Sequence, residues 1–138
     1  MIDSVLIAEN VSKRYNEGRA NEVCALDDVS VRIAANEFAV IYGPSGSGKT
    51  TLLGILGTID RPTSGKIFLH GEDVGGFSDL ELSRIRRKTI GFVFQSFNLL
   101  ARLPSWENVA YPLVPMGIRT KERRARLHSL RGSDSQTG

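Results

Sequence analysis

The stretch Gly43-Pro44-Ser45-Gly46-Ser47-Gly48-Lys49-Thr50 constrains this chain more than any other. It fits the pattern G-x-x-x-x-G-K-[ST], and its flanks are the ones that pattern requires. Before it, Phe38-Ala39-Val40-Ile41-Tyr42 is a continuous apolar run, as in a strand buried on both faces. After it, Thr51-Leu52-Leu53-Gly54-Ile55-Leu56 reads as a helix. Such a loop wraps polyphosphate oxygens in backbone N–H groups, and side chains would block the approach. Gly43, Gly46 and Gly48 clear that space and permit positive φ. The following helix aims its N-terminal amides at the anion. Lys49 supplies a cation between the β- and γ-phosphates, and the Thr50 hydroxyl suits Mg²⁺. Thr51 offers a further hydroxyl near the α-phosphate, and Pro44, Ser45 and Ser47 complete the loop.

The rest of the chain reads as alternating strands and helices. Residues 4–13 form a strand, with Val5, Ile7 and then Val11 as its apolar positions. A loop from Asn16 to Glu22 follows, and Ala25 to Ile33 alternates apolar and polar residues. Beyond the first helix, Arg61-Pro62-Thr63-Ser64-Gly65 is turn chemistry leading into a short strand, Lys66 to Leu69. Ser78-Asp79-Leu80-Glu81 is a capping box for a helix that closes in Arg86-Arg87-Lys88. Ile90 to Phe94 is another apolar strand, ended by Gln95. Ser105 caps a helix that Pro112 and Pro115 disrupt. This order predicts an α/β chain without internal repeats.

Composition narrows the function classes. The net charge of +3 suggests acidic partners only until it is divided along the chain. Residues 1–118 carry 12 Lys/Arg against 13 Asp/Glu, whereas residues 119–138 carry 6 against 2. The basicity belongs to the C-terminal stretch, with no aromatic interleaving, so nucleic-acid binding is disfavoured. The single cysteine, Cys24, excludes an internal disulfide and reads as a small buried side chain. No run of 18 apolar residues occurs, and Met1 to Ser4 lacks the features of a signal peptide. The cluster Arg84, Arg86, Arg87 and Lys88 reads as a solvated helix end, and Trp106 as packing.

Four further phrases narrow the family. They are Val11-Ser12-Lys13-Arg14-Tyr15, Ala25-Leu26-Asp27-Asp28-Val29-Ser30, Ile90-Gly91-Phe92-Val93-Phe94-Gln95-Ser96-Phe97-Asn98-Leu99-Leu100 and Glu107-Asn108-Val109. Together with the phosphate loop (the Walker A motif) they resemble the ATP-binding subunit of ABC transporters, in the branch of lipoprotein release and macrolide export. The resemblance covers residues 7–126. It implies an incomplete P-loop NTPase fold of the ABC ATPase type, α/β with an N-terminal antiparallel β region.

Taken alone, Tyr15 and Gln95 are ordinary strand ends. The resemblance gives Tyr15 the role of stacking on adenine and Gln95 that of touching Mg²⁺ or the attacking water. The implied catalytic residues are Lys49 and Gln95, and the implied metal residues Thr50 and Gln95. The implied cofactors are ATP and Mg²⁺. The implied partners are a second ATP-binding subunit, forming a homodimer in the complete protein, and a transmembrane permease subunit. The implied location is cytoplasmic, peripheral on the inner face of the cell membrane. The implied activity is ATP binding, with hydrolysis in the complete domain powering transport. The alternatives are a non-hydrolysing nucleotide-binding module and a non-functional truncated product. A GTPase lacks support, because no Asn-Lys-x-Asp segment occurs.

Hydrolysis in this family also needs an apolar strand ending in Asp with an adjacent Glu, and a Leu-Ser-Gly-Gly-Gln segment. After Gln95 the only Asp is Asp134, behind Arg131-Gly132-Ser133, and no Gly-Gly pair follows. Residues 1–126 therefore correspond to the N-terminal part of the ATP-binding domain, and residues 127–138 to an atypical tail, frameshifted or disordered. Back-translated with G/C-rich codons and read two bases later, that tail gives Pro-Leu-Ala-Glu-Arg-Val-Gly-Leu-Ala-Asp-Arg, a helix like the family's. Sequencing the coding DNA beyond codon 126 decides between these readings.

Overall fold

The computed structural model describes residues 4–96 and 98–132, with side chains as far as Ser129. They divide into two compact units, one ending at Ile90 and one beginning at Gly91.

The first unit is built on an antiparallel sheet in the order β2-β1-β3-β4. Its strands are β1 (Ser4–Tyr15), β2 (Val23–Ala34), β3 (Ser64–Leu69) and β4 (Glu72–Asp73). Helices α1 (Lys49–Leu56) and α2 (Asp79–Thr89) belong to the same unit. The core gathers Ala8, Val11, Leu26, Ile55, Leu56, Ile67, Leu69, Val74 and Leu82. This confirms the expected N-terminal antiparallel region.

The inward face of β1 differs from the sequence reading. Leu6, Ala8 and Val11 join or flank the core, not Val5 and Ile7. The spacing of two and then three residues reflects a break in the ladder between Ala8 and Val11. Asn10 sits there at φ 49°, and across from it Asp28 sits at φ 52°. A bulge inserts an extra residue and restores the same face after it. Side chains fill the ladder bonds it interrupts. The Asn10 Nδ2 donates to Asp28 Oδ1 (2.8 Å), Asn10 N–H to Ser30 Oγ (2.9 Å) and Asp28 N–H to Ser12 Oγ (3.0 Å).

Two expected strands do not form. Phe38–Tyr42 and Ile90–Phe94 carry no strand pairing among the described residues. A strand exists only against a neighbour that takes its N–H and C=O groups, and among the described residues neither segment is paired with one. Phe38 and Tyr42 are 91% and 92% exposed, where burial on both faces was expected. Cys24 is likewise exposed rather than buried, near the start of β2 where the sheet edge opens to solvent.

Helix α2 follows its local chemistry. Ser78 Oγ accepts from Glu81 N–H, while Glu81 Oε2 accepts from Ser78 N–H at 2.7 Å. Its basic end is not wholly solvated, because half-buried Arg86 donates from Nη1 to the Thr58 carbonyl at 2.5 Å.

Thr58 closes α1 in an uncommon way. Its N–H donates to Ile55 O (2.9 Å), and Ile59 N–H donates to Gly54 O (2.8 Å). These are the two bonds of a Schellman ending, whose left-handed position normally carries glycine. Here a β-branched residue holds φ 58°, is 4% exposed, and has no partner for its Oγ1 among the described residues. The left-handed backbone costs about 1–2 kcal/mol, and the unpaired hydroxyl about as much again. Thr58→Gly is therefore expected to stabilise the chain by about 1 kcal/mol after lost methyl packing and added chain entropy are subtracted. The melting temperature should rise by a few degrees; a fall would contradict this account of the turn.

The second unit holds α3 (Ser105–Ala110), a 3₁₀ turn at Tyr111–Leu113, and α4 (Thr120–Gly132). Pro104, not Ser105, occupies the cap position of α3, its carbonyl accepting from Glu107 and Asn108 N–H. The α-helical backbone ends at Ala110, just before Pro112, and Pro115 lies in the turn beyond. Asn108 closes the preceding loop, accepting from Leu100 N–H (2.7 Å) and donating to the Leu103 carbonyl (3.0 Å). Arg124 lies over the Trp106 ring, 5.1 Å from its centroid. Residues 133–138 of the expected tail lie outside the described residues.

Candidate nucleotide-phosphate site

Gly48 joins the loop to α1 in the left-handed conformation, φ 83° and ψ 3°, and its carbonyl accepts from Leu52 N–H at 2.8 Å. A Cβ at this position would stand 2.3 Å from the Ala25 carbonyl and 3.0 Å from Leu26 Cδ2. Glycine thus lets the loop press on β2. Gly46 also takes positive φ (79°), but a Cβ there would meet nothing within 4 Å. Its lack of a side chain leaves the outer surface of the loop bare.

The N–H groups of Lys49, Thr50 and Thr51 open α1 and have no intrahelical acceptor. They make the positive end of the helix dipole. Ser45, Gly46, Ser47 and Thr50 are exposed. Lys49 Nζ lies across the loop, donating to the carbonyls of Pro44 (2.6 Å) and Gly43 (2.9 Å) and reaching Ser47 Oγ at 3.4 Å. The ammonium is therefore held against the loop's own backbone. Residues 43–51 run from this exposed loop into the first turn of α1.

Tyr15 ends β1 on the same unit, 38% exposed. Its hydroxyl donates to Asp60 Oδ2 at 3.0 Å. Lys13, opposite Leu26 in the β1–β2 ladder, donates to Asp60 Oδ1 at 2.7 Å and stands 4.9 Å from the Tyr15 ring centroid. Because Leu26 is also a neighbour of Gly48, this cluster sits one strand away from the phosphate loop. Sequence reasoning missed Lys13 and Asp60. Lys13 carried one signal, being two residues from Tyr15 on the same strand face. Asp60 carried none, as it is 45 residues away.

Gln95 belongs to the second unit, where it is exposed in a bend rather than ending a strand. Among the described residues, no group of three or more His, Cys, Asp or Glu could hold a metal ion. Within the first unit the Mg²⁺ expectation rests on the exposed Thr50 hydroxyl with a phosphate.

Burial pushes the Asp60 carboxyl up, but hydrogen bonds from Lys13, the Arg61 amide and the Tyr15 hydroxyl outweigh it and hold the group below its ordinary value of 3.8. Its folded value being depressed, Asp60 contributes stability above 3.8, and this is lost as pH falls through the lower folded value. The stability difference between wild type and Asp60→Asn should therefore be present at neutral pH and vanish in strong acid. Urea melts of both proteins across that range check this; a pH-independent difference would contradict it.

Comparison with known proteins agrees with this geometry. A family model for the ABC transporter matches residues 26–136. The chain is 48% identical over 121 residues to an uncharacterized ABC transporter ATP-binding protein of Thermotoga maritima, covering 88% of this chain and 51% of that protein. It is 42% identical over 130 residues to the macrolide export ATP-binding/permease protein MacB of Hyphomonas neptunium, covering 94% of this chain and 20% of MacB. The solved ATP-binding cassette MJ0796, a dimer in a post-hydrolysis state bound to ADP and Pi, superposes with a TM-score of 0.81 at 41% identity. That superposition covers 90% of this chain and 54% of the cassette. The chain spans about half the length of the first curated relatives it matches. Among the described residues no helix is long and apolar enough to cross a membrane. The loop geometry, the family match and the likeness to a solved cassette agree, and the chain belongs to the ATP-binding domain family of ABC transporters.

Proposed function

We propose that the chain binds ATP with Mg²⁺ through Gly43 to Thr51, as part of the ATP-binding subunit of an ABC transporter. The observation that carries this reading is the amide-lined start of α1, joined to a glycine loop and crossed by the Lys49 ammonium. A polyphosphate is a ligand that satisfies several N–H donors and one cation at a single helix start. In this reading Lys49 holds the β- and γ-phosphate oxygens, and the Thr50 hydroxyl holds the metal. Tyr15 stacks on adenine, and Gln95 takes its part in the hydrolysis step of the complete protein.

The complete protein pairs two such domains, docks on a transmembrane permease at the inner face of the membrane and hydrolyses ATP to drive transport. The dimeric state of the MJ0796 cassette and the permease segment in the name of MacB support this assembly. When bound beside the Thr50 hydroxyl, Mg²⁺ would supply charge neutralisation at the phosphates. The test is an equilibrium titration with a fluorescent ATP analogue, followed by displacement with Mg-ATP. Saturable binding reversed by Mg-ATP is expected; no binding at millimolar nucleotide would overturn the reading.

A further inference from the structure

We propose that Asp60 is a positioning residue for base recognition, fixing the Tyr15 ring from its hydroxyl end and holding Lys13 over one face of it. The proposal rests on the ATP-binding reading above and goes beyond it, assigning roles to two residues outside the phosphate loop and the stacking tyrosine.

The geometry is a closed triangle. Asp60 Oδ2 accepts from the Tyr15 hydroxyl at 3.0 Å, and Oδ1 accepts from the Lys13 ammonium at 2.7 Å. The carboxylate is itself anchored, because Oδ1 also accepts from Arg61 N–H at 2.7 Å. Lys13 spends a second donor on the Arg61 carbonyl at 2.7 Å. Its ammonium is thereby fixed 4.9 Å from the ring centroid, within cation–π range. The Lys13 side chain is 13% exposed and that of Asp60 36%, so the ammonium is the sheltered partner of the pair.

These contacts have a consequence for stacking. A tyrosine at a strand end would otherwise sample several rotamers, and a base would have to select one at an entropic cost. Tied at its hydroxyl, the Tyr15 ring is held before any ligand arrives. With Lys13 over one face, a base has the opposite face on which to stack. Asp60 directly follows the turn that closes α1, so the tie links the adenine platform to the helix that begins at the phosphate loop.

The test compares two ligands, Mg-ATP and Mg-tripolyphosphate, which shares the phosphates but has no base. Equilibrium affinities are measured on the full chain for wild type, Asp60→Asn, Tyr15→Phe and Tyr15→Ala. Tyr15→Phe keeps the ring and the Lys13–Asp60 pair while removing the tie, so it guards against a folding defect in Asp60→Asn. Tyr15→Ala should weaken ATP by about 5- to 150-fold, the range for losing one base-stacking ring. Asp60→Asn and Tyr15→Phe should each weaken ATP by about 3- to 10-fold, a fraction of that loss. All three should leave tripolyphosphate affinity within about twofold of wild type. If Tyr15→Ala loses ATP affinity while the other two variants match wild type, Tyr15 stacks without help from Asp60 and the proposal is overturned. Equal losses for both ligands would make Asp60 a general structural residue and also overturn it. Wild type that binds neither ligand would instead sink the ATP-binding reading itself.

Discussion

Lys49→Ala is expected to weaken Mg-ATP binding by about 10- to 150-fold while leaving the melting temperature of the free chain nearly unchanged. A hydrogen bond to a charged group contributes about 1.5–3 kcal/mol, which sets that range. The separation of affinity from stability follows from what Lys49 touches in the structure. Its ammonium donates to the Gly43 and Pro44 carbonyls, both in an exposed loop. Water can replace the ammonium at both, so the folded state loses little. Phosphate oxygens gathered at the loop have no such substitute for the cation. Titration calorimetry with Mg-ATP, paired with thermal melts without nucleotide, reads the two quantities independently. Unchanged affinity would remove Lys49 from the site, and a large stability loss would make it a structural strut.

The second large effect is expected at Gly48. Gly48→Ala places a Cβ 2.3 Å from the Ala25 carbonyl and 3.0 Å from Leu26 Cδ2, on a backbone at φ 83°. Neither neighbour can yield cheaply. Ala25 and Leu26 belong to β2, and Leu26 is a core residue, while α1 is pinned by buried Ile55 and Leu56. Left-handed backbone and overpacking together cost about 2–5 kcal/mol. Gly46→Ala supplies the control. It has similar positive φ but open space, so only the backbone penalty of about 1–2 kcal/mol applies. Urea unfolding should show a clearly lower midpoint for Gly48→Ala than for Gly46→Ala. Equal midpoints would mean that the loop does not press on β2 as described.

What the sequence made legible was local. The capping box of α2 and the start of α1 depend on residues within one turn of each other, and the structure contains both. The antiparallel strands β1 and β2 were also readable from their apolar positions. The inward face of β1 was not, because the bulge at Asn10 depends on Asp28 and Ser30 across the ladder. Phe38–Tyr42 and Ile90–Phe94 show the same limit more sharply. Their apolar runs state a preference for burial, but a strand is a property of two segments, and no described segment pairs with either.

The site divides along the same line. Residues 43–51 are contiguous, so their assembly could be read from the motif. The tie between Lys13, Tyr15 and Asp60 spans up to 47 residues and becomes visible only when β1 passes beside the end of α1. Thr58 is a related case. Nothing in the sequence marks it as the left-handed residue of a helix ending, because threonine is a poor choice for that position.

The claim on which the rest depends is that bare backbone amides at Lys49, Thr50 and Thr51, backed by one ammonium, grip a nucleoside triphosphate. The most direct measurement follows the amide resonances of the ¹⁵N-labelled chain during titration with Mg-ATP. The account predicts saturable shifts concentrated on residues 43–51, with smaller ones at Tyr15, and their loss in Lys49→Ala. Amide positions in the loop that stay unmoved up to millimolar Mg-ATP would contradict it.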